Sequence, residues 1–180
     1  MSFLWHPIST KLTSWSKKGQ ATVYKGTFEG KPVAIKDIQT DAESMKYAAD
    51  EVILTKKIPH QNIINIIGVY LSTQGMLIVM ELASDSLKGM IDKKKGPLTP
   101  FEIATFGRQI AGALNYCVTQ NPKQPIHHRD LKTENVLIVN GQAKLADFGL
   151  AHTRQRTGFS TRLSRTKDGR GEVAGTINWQ

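Results

Sequence analysis

The densest chemistry in the chain lies in His128-Arg129-Asp130-Leu131-Lys132-Thr133-Glu134-Asn135, followed by the tripeptide Asp147-Phe148-Gly149. Between them, Val136 to Val139 reads as one strand and Gln142 to Ala146 as its partner. Asn140-Gly141 is the dipeptide that fits a tight turn with positive φ at both central residues. Such a hairpin returns on itself, so Asn135 enters one strand close to where Asp147 leaves the other. Two oxygen ligands then converge on one point, which suits a hard cation such as Mg²⁺. The adjacent His127 and His128 make a poor zinc site, because neighbouring side chains point apart and no third ligand is suitably spaced.

Two upstream elements would have to face this hairpin. In Lys31-Pro32-Val33-Ala34-Ile35-Lys36 the side chains of a strand alternate, so Ala34 and Lys36 share one face and Val33 and Ile35 the other. Residues 41 to 58 read as a helix, with Asp41 a candidate N-cap and Pro59 as its stop. Tyr47, Glu51, Leu54 and Ile58 recur at helical spacing, which leaves Glu51 on a largely apolar face. A carboxylate there needs a cation, and Lys36 is the obvious one.

These stretches resemble the catalytic loop, metal-binding tripeptide and V-A-I-K strand of eukaryotic-type protein kinases. The resemblance implies an α+β, two-lobed fold: a β-rich N-lobe with one helix over 11–80, a hinge at 81–83, and a partial helical C-lobe over 84–180. Residues 147–180 would be the activation segment, and the family's last helices would be missing. It implies Mg-ATP as cofactor, with Lys36 on the phosphates and Glu51 holding Lys36. Asp130 would orient the incoming hydroxyl and Lys132 would offset the charge of the transferring phosphoryl. Asn135 and Asp147 would hold the metal. Val23, Ala34, Glu81, Ala83 and Leu137 would line the nucleotide, with Met80 limiting the depth of the pocket. His128 would be structural, packed on Phe148. Lys132, with Thr176 in Gly175-Thr176, is similar to the Ser/Thr type, and the T-V-Y-K-G strand to its tyrosine-kinase-like group.

One departure stands out. With Val23 as anchor, the family's three phosphate-loop glycines fall on Ser16, Lys18 and Ala21, and the only glycine nearby is Gly19. Glycine lets backbone N–H groups approach phosphate oxygens without a Cβ in the way. Residues 16–20 are expected to form this turn, with Lys17 and Lys18 supplying attraction instead. Thr55, one turn after Glu51, stands where the family usually has a bulkier apolar residue. The degraded glycine turn, together with a C-lobe expected to be cut short, opens a second reading, a weakly active or inactive nucleotide-binding scaffold.

Arg129, beside Asp130, would be stabilised by a phosphorylated Ser or Thr in the following loop, placed there by an upstream kinase or by the chain itself. Candidates are Thr153, Thr157, Ser160, Thr161, Ser164 and Thr166. Thr99-Pro100-Phe101-Glu102 opens a helix through a capping box. Along it Ile103, Phe106, Ile110, Leu114 and Cys117 form an apolar stripe, in which Cys117 reads as core.

The bulk composition fits an ordinary folded protein: 180 residues, 39% hydrophobic and 22% charged. The net charge of +9 would favour an anionic partner, but Arg154, Arg156, Arg162, Arg165, Lys167 and Arg170 concentrate in one tail. No nucleic-acid partner is therefore expected; a protein carrying Ser or Thr is. Cys117 is the only cysteine, no apolar run approaches a membrane span, and Met1 to Thr10 lacks the pattern of a secretory signal. The expected location is cytoplasmic.

Overall fold

The computed structural model describes residues 13–18, 21–39, 42–72, 75–149 and 151–153. Five antiparallel strands build the first half: β1 (Thr13–Lys18), β2 (Ala21–Phe28), β3 (Lys31–Gln39), β4 (Ile66–Ser72) and β5 (Gly75–Glu81), in the order β1-β2-β3-β5-β4. Glu29 and Gly30 join β2 to β3 with φ of 49° and 73°, the positive pair that matches the twist of a two-residue hairpin. Cross-strand partners share a face, so Lys36, opposite Val23 and Ile78, lies with Ala34, opposite Met80. That face packs on α1 (Ala42–Lys57) through Ile38, Ile66, Met76, Ile78 and Ala48. The other face gathers Val33, Ile35 and Val79. The alternation expected of β3 is present.

Two local expectations change. Ser16 and Lys18 lie within β1, which pairs up to Lys18 opposite Ala21, so only residues 19 and 20 separate the strands. Ladder pairing with β2 carries the strand further than residue preference suggests. Among the described residues of α1 the buried positions are Ala48, Glu51 and Thr55, with Ile58 buried just past its end, while Tyr47 is 52% exposed. Small Ala48 lets the helix approach the sheet, and the bulky tyrosine is turned outward. The cap expected at Asp41 lies outside the described residues.

The second half contains β6 (Asp85–Ser86), α2 (Leu87–Lys93), α3 (Pro100–Thr119), β7 (Ile126–His127), β8 (Val136–Val139), β9 (Gln142–Leu145) and β10 (His152–Thr153). The capping box of α3 is complete: Thr99 Oγ1 accepts the Glu102 N–H, and Glu102 accepts the Thr99 N–H. Phe106, Ala113 and Cys117 are buried in a core with Ile58, Ile63, Val136, Leu145 and Phe148. Ile103 does not join them and is 57% exposed. It lies almost two turns before Gln109, whose side chain accepts the Ala143 N–H from the hairpin.

A seam joins the two halves. Leu145 donates its N–H to the Asn62 carbonyl and accepts the Ile64 N–H, both at 2.8 Å, and Asn62 Nδ2 reaches the Ala143 carbonyl at 2.9 Å. The residues after α1 thus act as a short strand on β9. They fix Lys36 and Glu51 relative to the β8–β9 hairpin.

Candidate active site

Asp130 is held on three sides. Lys132 Nζ donates to Asp130 Oδ2 at 2.8 Å. Asn135 Nδ2 donates to the same oxygen at 2.9 Å and to the Asp130 carbonyl at 2.8 Å. The Asp130 N–H is accepted by His128 Nδ1 at 3.3 Å. This acceptance fixes the imidazole tautomer, so Nε2 carries the proton and donates to the Ala146 carbonyl at 3.0 Å. Burial, opposed by that bond and the charges of Asp147 and Asp130, holds the imidazole below its ordinary pKa. Its ring meets Phe148 edge-on, with centroids 4.6 Å apart, and Phe148 is fully buried. His128 is thus committed to hydrogen bonding and packing.

The β8–β9 hairpin turns as expected, with φ of 49° at Asn140 and 76° at Gly141. Val136 pairs with Leu145, and Ala146 donates its N–H to the Asn135 carbonyl at 2.9 Å. Asn135 and Asp147 are therefore neighbours across the open end of the hairpin. Asn135 is 1% exposed, and with Nδ2 turned to Asp130 its Oδ1 occupies the opposite end of the amide. Asp147 has φ of 68°, a left-handed conformation that Asp tolerates better than most residues. Among the described residues no cluster of three His, Cys, Asp or Glu side chains could hold a metal alone. An amide oxygen and one carboxylate instead suit Mg²⁺, which keeps waters and takes substrate phosphate oxygens as further ligands.

Lys36 Nζ meets Glu51 Oε2 at 2.7 Å. Burial pushes the lysine pKa down, but the charges of Glu51 and Asp147 and the Glu51 hydrogen bond together raise it above the ordinary value. The influence of Asp147 places Lys36 electrostatically within the same site. One turn after Glu51, the Thr55 hydroxyl is buried but donates to the Glu51 carbonyl at 2.7 Å.

Met80, Ala83 and Leu137 come together in a cluster with Ile64, Val139 and Ala146. Val23 lies directly across from Lys36 and is half-buried. Glu81 ends β5, and its carboxylate is taken by Lys144 Nζ at 2.8 and 2.9 Å.

A model of the protein kinase domain matches residues 18–177. The chain belongs to the protein kinase family. This kinase domain is 34% identical over 158 residues to wall-associated receptor kinase-like 5 of Arabidopsis thaliana, covering 83% of this chain and 22% of that protein. It is 34% identical over 153 residues to mitogen-activated protein kinase kinase kinase 3 of the same plant, covering 81% and 24%. It is also 34% identical over 155 residues to NUAK family SNF1-like kinase 1 of Homo sapiens, covering 78% and 23%. The chain spans less than a quarter of the length of these relatives.

Within this kinase domain Asp130, Lys132, Asn135, Asp147, Lys36 and Glu51 are drawn into one region by the hairpin, the seam and the α1–β3 contact. Gly19 and Thr176 lie outside the described residues, as do five of the six candidate phosphorylation sites; of Thr153 only the backbone is described. Arg129 is exposed beside the site with φ of 64°. Sequence reasoning missed Lys144 and Asn62. Lys144 carried a weak signal, a cation between the apolar residues Ala143 and Leu145, both of which are buried. Among the described residues no helix is long and apolar enough to cross a membrane.

Proposed function

We propose that this kinase domain transfers the γ-phosphoryl group of Mg-ATP to Ser or Thr hydroxyls of a protein. The observation that carries the reading is the Asp130 carboxylate, gripped by Lys132 and Asn135 and backed by His128. A carboxylate so oriented accepts a hydrogen bond from an incoming hydroxyl and aligns it for attack. Lys132 stays beside it, able to offset negative charge on the group in transit. Lys36, kept cationic by Glu51, holds phosphate oxygens, and the Met80–Ala83–Leu137 cluster offers an apolar wall to adenine. Asp147 and Asn135 would hold a magnesium ion, which when bound would offset phosphate charge.

A second reading, a nucleotide-binding scaffold of weak activity, is favoured by the phosphate-facing end of β1. Its positions 16 and 18 are Ser and Lys rather than glycine. Radiolabel transfer from ATP to a generic protein substrate separates the two. The kinase reading expects transfer that falls about 10²–10⁴-fold in Asp130→Asn. Transfer indifferent to that change would refute it. Mg-ATP-dependent thermal stabilisation without transfer would establish the scaffold.

A further inference from the structure

Thr99 is the only Ser or Thr in the chain that is followed by proline, and a second proline stands two residues before it, in Pro97-Leu98-Thr99-Pro100. Proline disfavours helical backbone in the residue ahead of it, and Thr99 is extended, with φ of −68° and ψ of 155°, immediately before α3. Leu98 is half-buried and packs against the core that holds Phe106 and Ala113, while Pro97, Thr99 and Pro100 are exposed. The segment is thus held from inside by one leucine and presents its threonine outward. Three donors converge there on a single carboxylate oxygen, Glu102 Oε2: Lys94 Nζ, the Thr99 N–H at 2.7 Å and Thr99 Oγ1 at 2.9 Å. Lys93 and Lys95 flank Lys94.

We propose that Thr99 is a phosphoacceptor site for a kinase that reads proline directly after the acceptor, and that the added phosphate takes Lys94 from Glu102. In the transfer a bond forms between Thr99 Oγ1 and the γ-phosphorus of ATP as the bond from that phosphorus to its bridging oxygen breaks. ADP leaves, and the hydroxyl proton passes to a base of the modifying kinase and on to solvent. The phosphate brings about two negative charges and three acceptor oxygens to the point where Lys94 Nζ and the Thr99 N–H already donate. The Glu102 side chain is 31% exposed, so once displaced it turns into water and the repulsion between the two anions is screened. The exchange tightens the head of α3, the helix whose Gln109 holds the Ala143 N–H of the β8–β9 hairpin. The site is independent of whether this domain transfers phosphoryl groups itself.

The test incubates the chain with ATP and a purified proline-directed Ser/Thr kinase, beside a parallel incubation without that kinase. Peptide mass spectrometry is expected to place phosphate on Thr99 only when the kinase is added. Pro100→Ala, an alanine that suits the first helical position, should slow this labelling about ten-fold or more. The phosphorylated chain should melt about 2–4 °C higher than the unmodified one. Lys94→Met should remove most of that gain, and Lys93→Met, a control for lost charge, should keep it. No phosphate on Thr99, or equal labelling of Pro100→Ala, overturns the acceptor site. Labelling of Thr99 without the added kinase overturns the assignment to a second enzyme. An unchanged or lowered melting point, or a gain that survives in Lys94→Met, overturns the exchange of partners.

Discussion

Glu51→Gln isolates the electrostatics of the site, because it keeps the shape of the side chain and removes its charge. Burial is the largest influence on the Lys36 pKa and lowers it; Glu51 and Asp147 together overcome it. Without the Glu51 carboxylate, burial stands against Asp147 alone, and burial is the larger of those two. The Lys36 pKa should therefore cross from above the ordinary 10.5 to below it. Losing one member of a fully buried pair costs about 3–5 kcal/mol. Here 19% of the Lys36 side chain and 10% of the Glu51 side chain still meet solvent, and Asp147 remains, so about 1–3 kcal/mol is expected. The pH dependence reverses as well. In the parent chain the raised pKa contributes stability that is complete below 10.5 and lost as pH climbs through the folded value. In Glu51→Gln the folded lysine binds fewer protons than the unfolded one, so stability should rise with pH just under 10.5. Urea denaturation across that range gives the stability, and NMR of labelled lysine, with Lys36→Arg to assign the resonance, gives the titration. An unshifted urea midpoint together with a Lys36 that still titrates above 10.5 would refute the reasoning.

Two other substitutions probe the supports of the site. His128 is neutral in the folded chain with a lowered pKa, so stability should be complete above its ordinary 6.5 and fall as the pH drops below it. His128→Phe should flatten that dependence, and should cost about 1–3 kcal/mol for each group it strands, the Asp130 N–H and the Ala146 carbonyl. Denaturation at two pH values measures both effects, and an unchanged acid limb would contradict the assignment. Burial pushes the Cys117 thiol up to about 11, so a thiol reagent at mildly alkaline pH should label it only as fast as the chain opens. Rapid labelling of the folded chain would show that α3 does not pack as described.

The amino-acid sequence by itself determined the local chemistry. Asn140-Gly141 specified the turn, alternation in β3 set Lys36 on the face of Ala34, and Thr99 and Glu102 marked the start of α3. These are short-range effects of backbone geometry, and each is legible because the interacting groups are close along the chain. Glu51 was also legible, since an acid on an apolar stripe demands a cation. Only the tertiary structure decided which helix positions are inside. Tyr47 and Ile103 fit the helical period, yet both are exposed, while Ala48, off the expected stripe, is buried where the sheet covers it. Tertiary structure also decided the partners of Asn62, Lys144 and Glu81. Their bonds join residues 81, 63 and 16 positions apart. Hydrophobic periodicity carries no record of such pairings, because each depends on how two separately folded elements come to rest against one another.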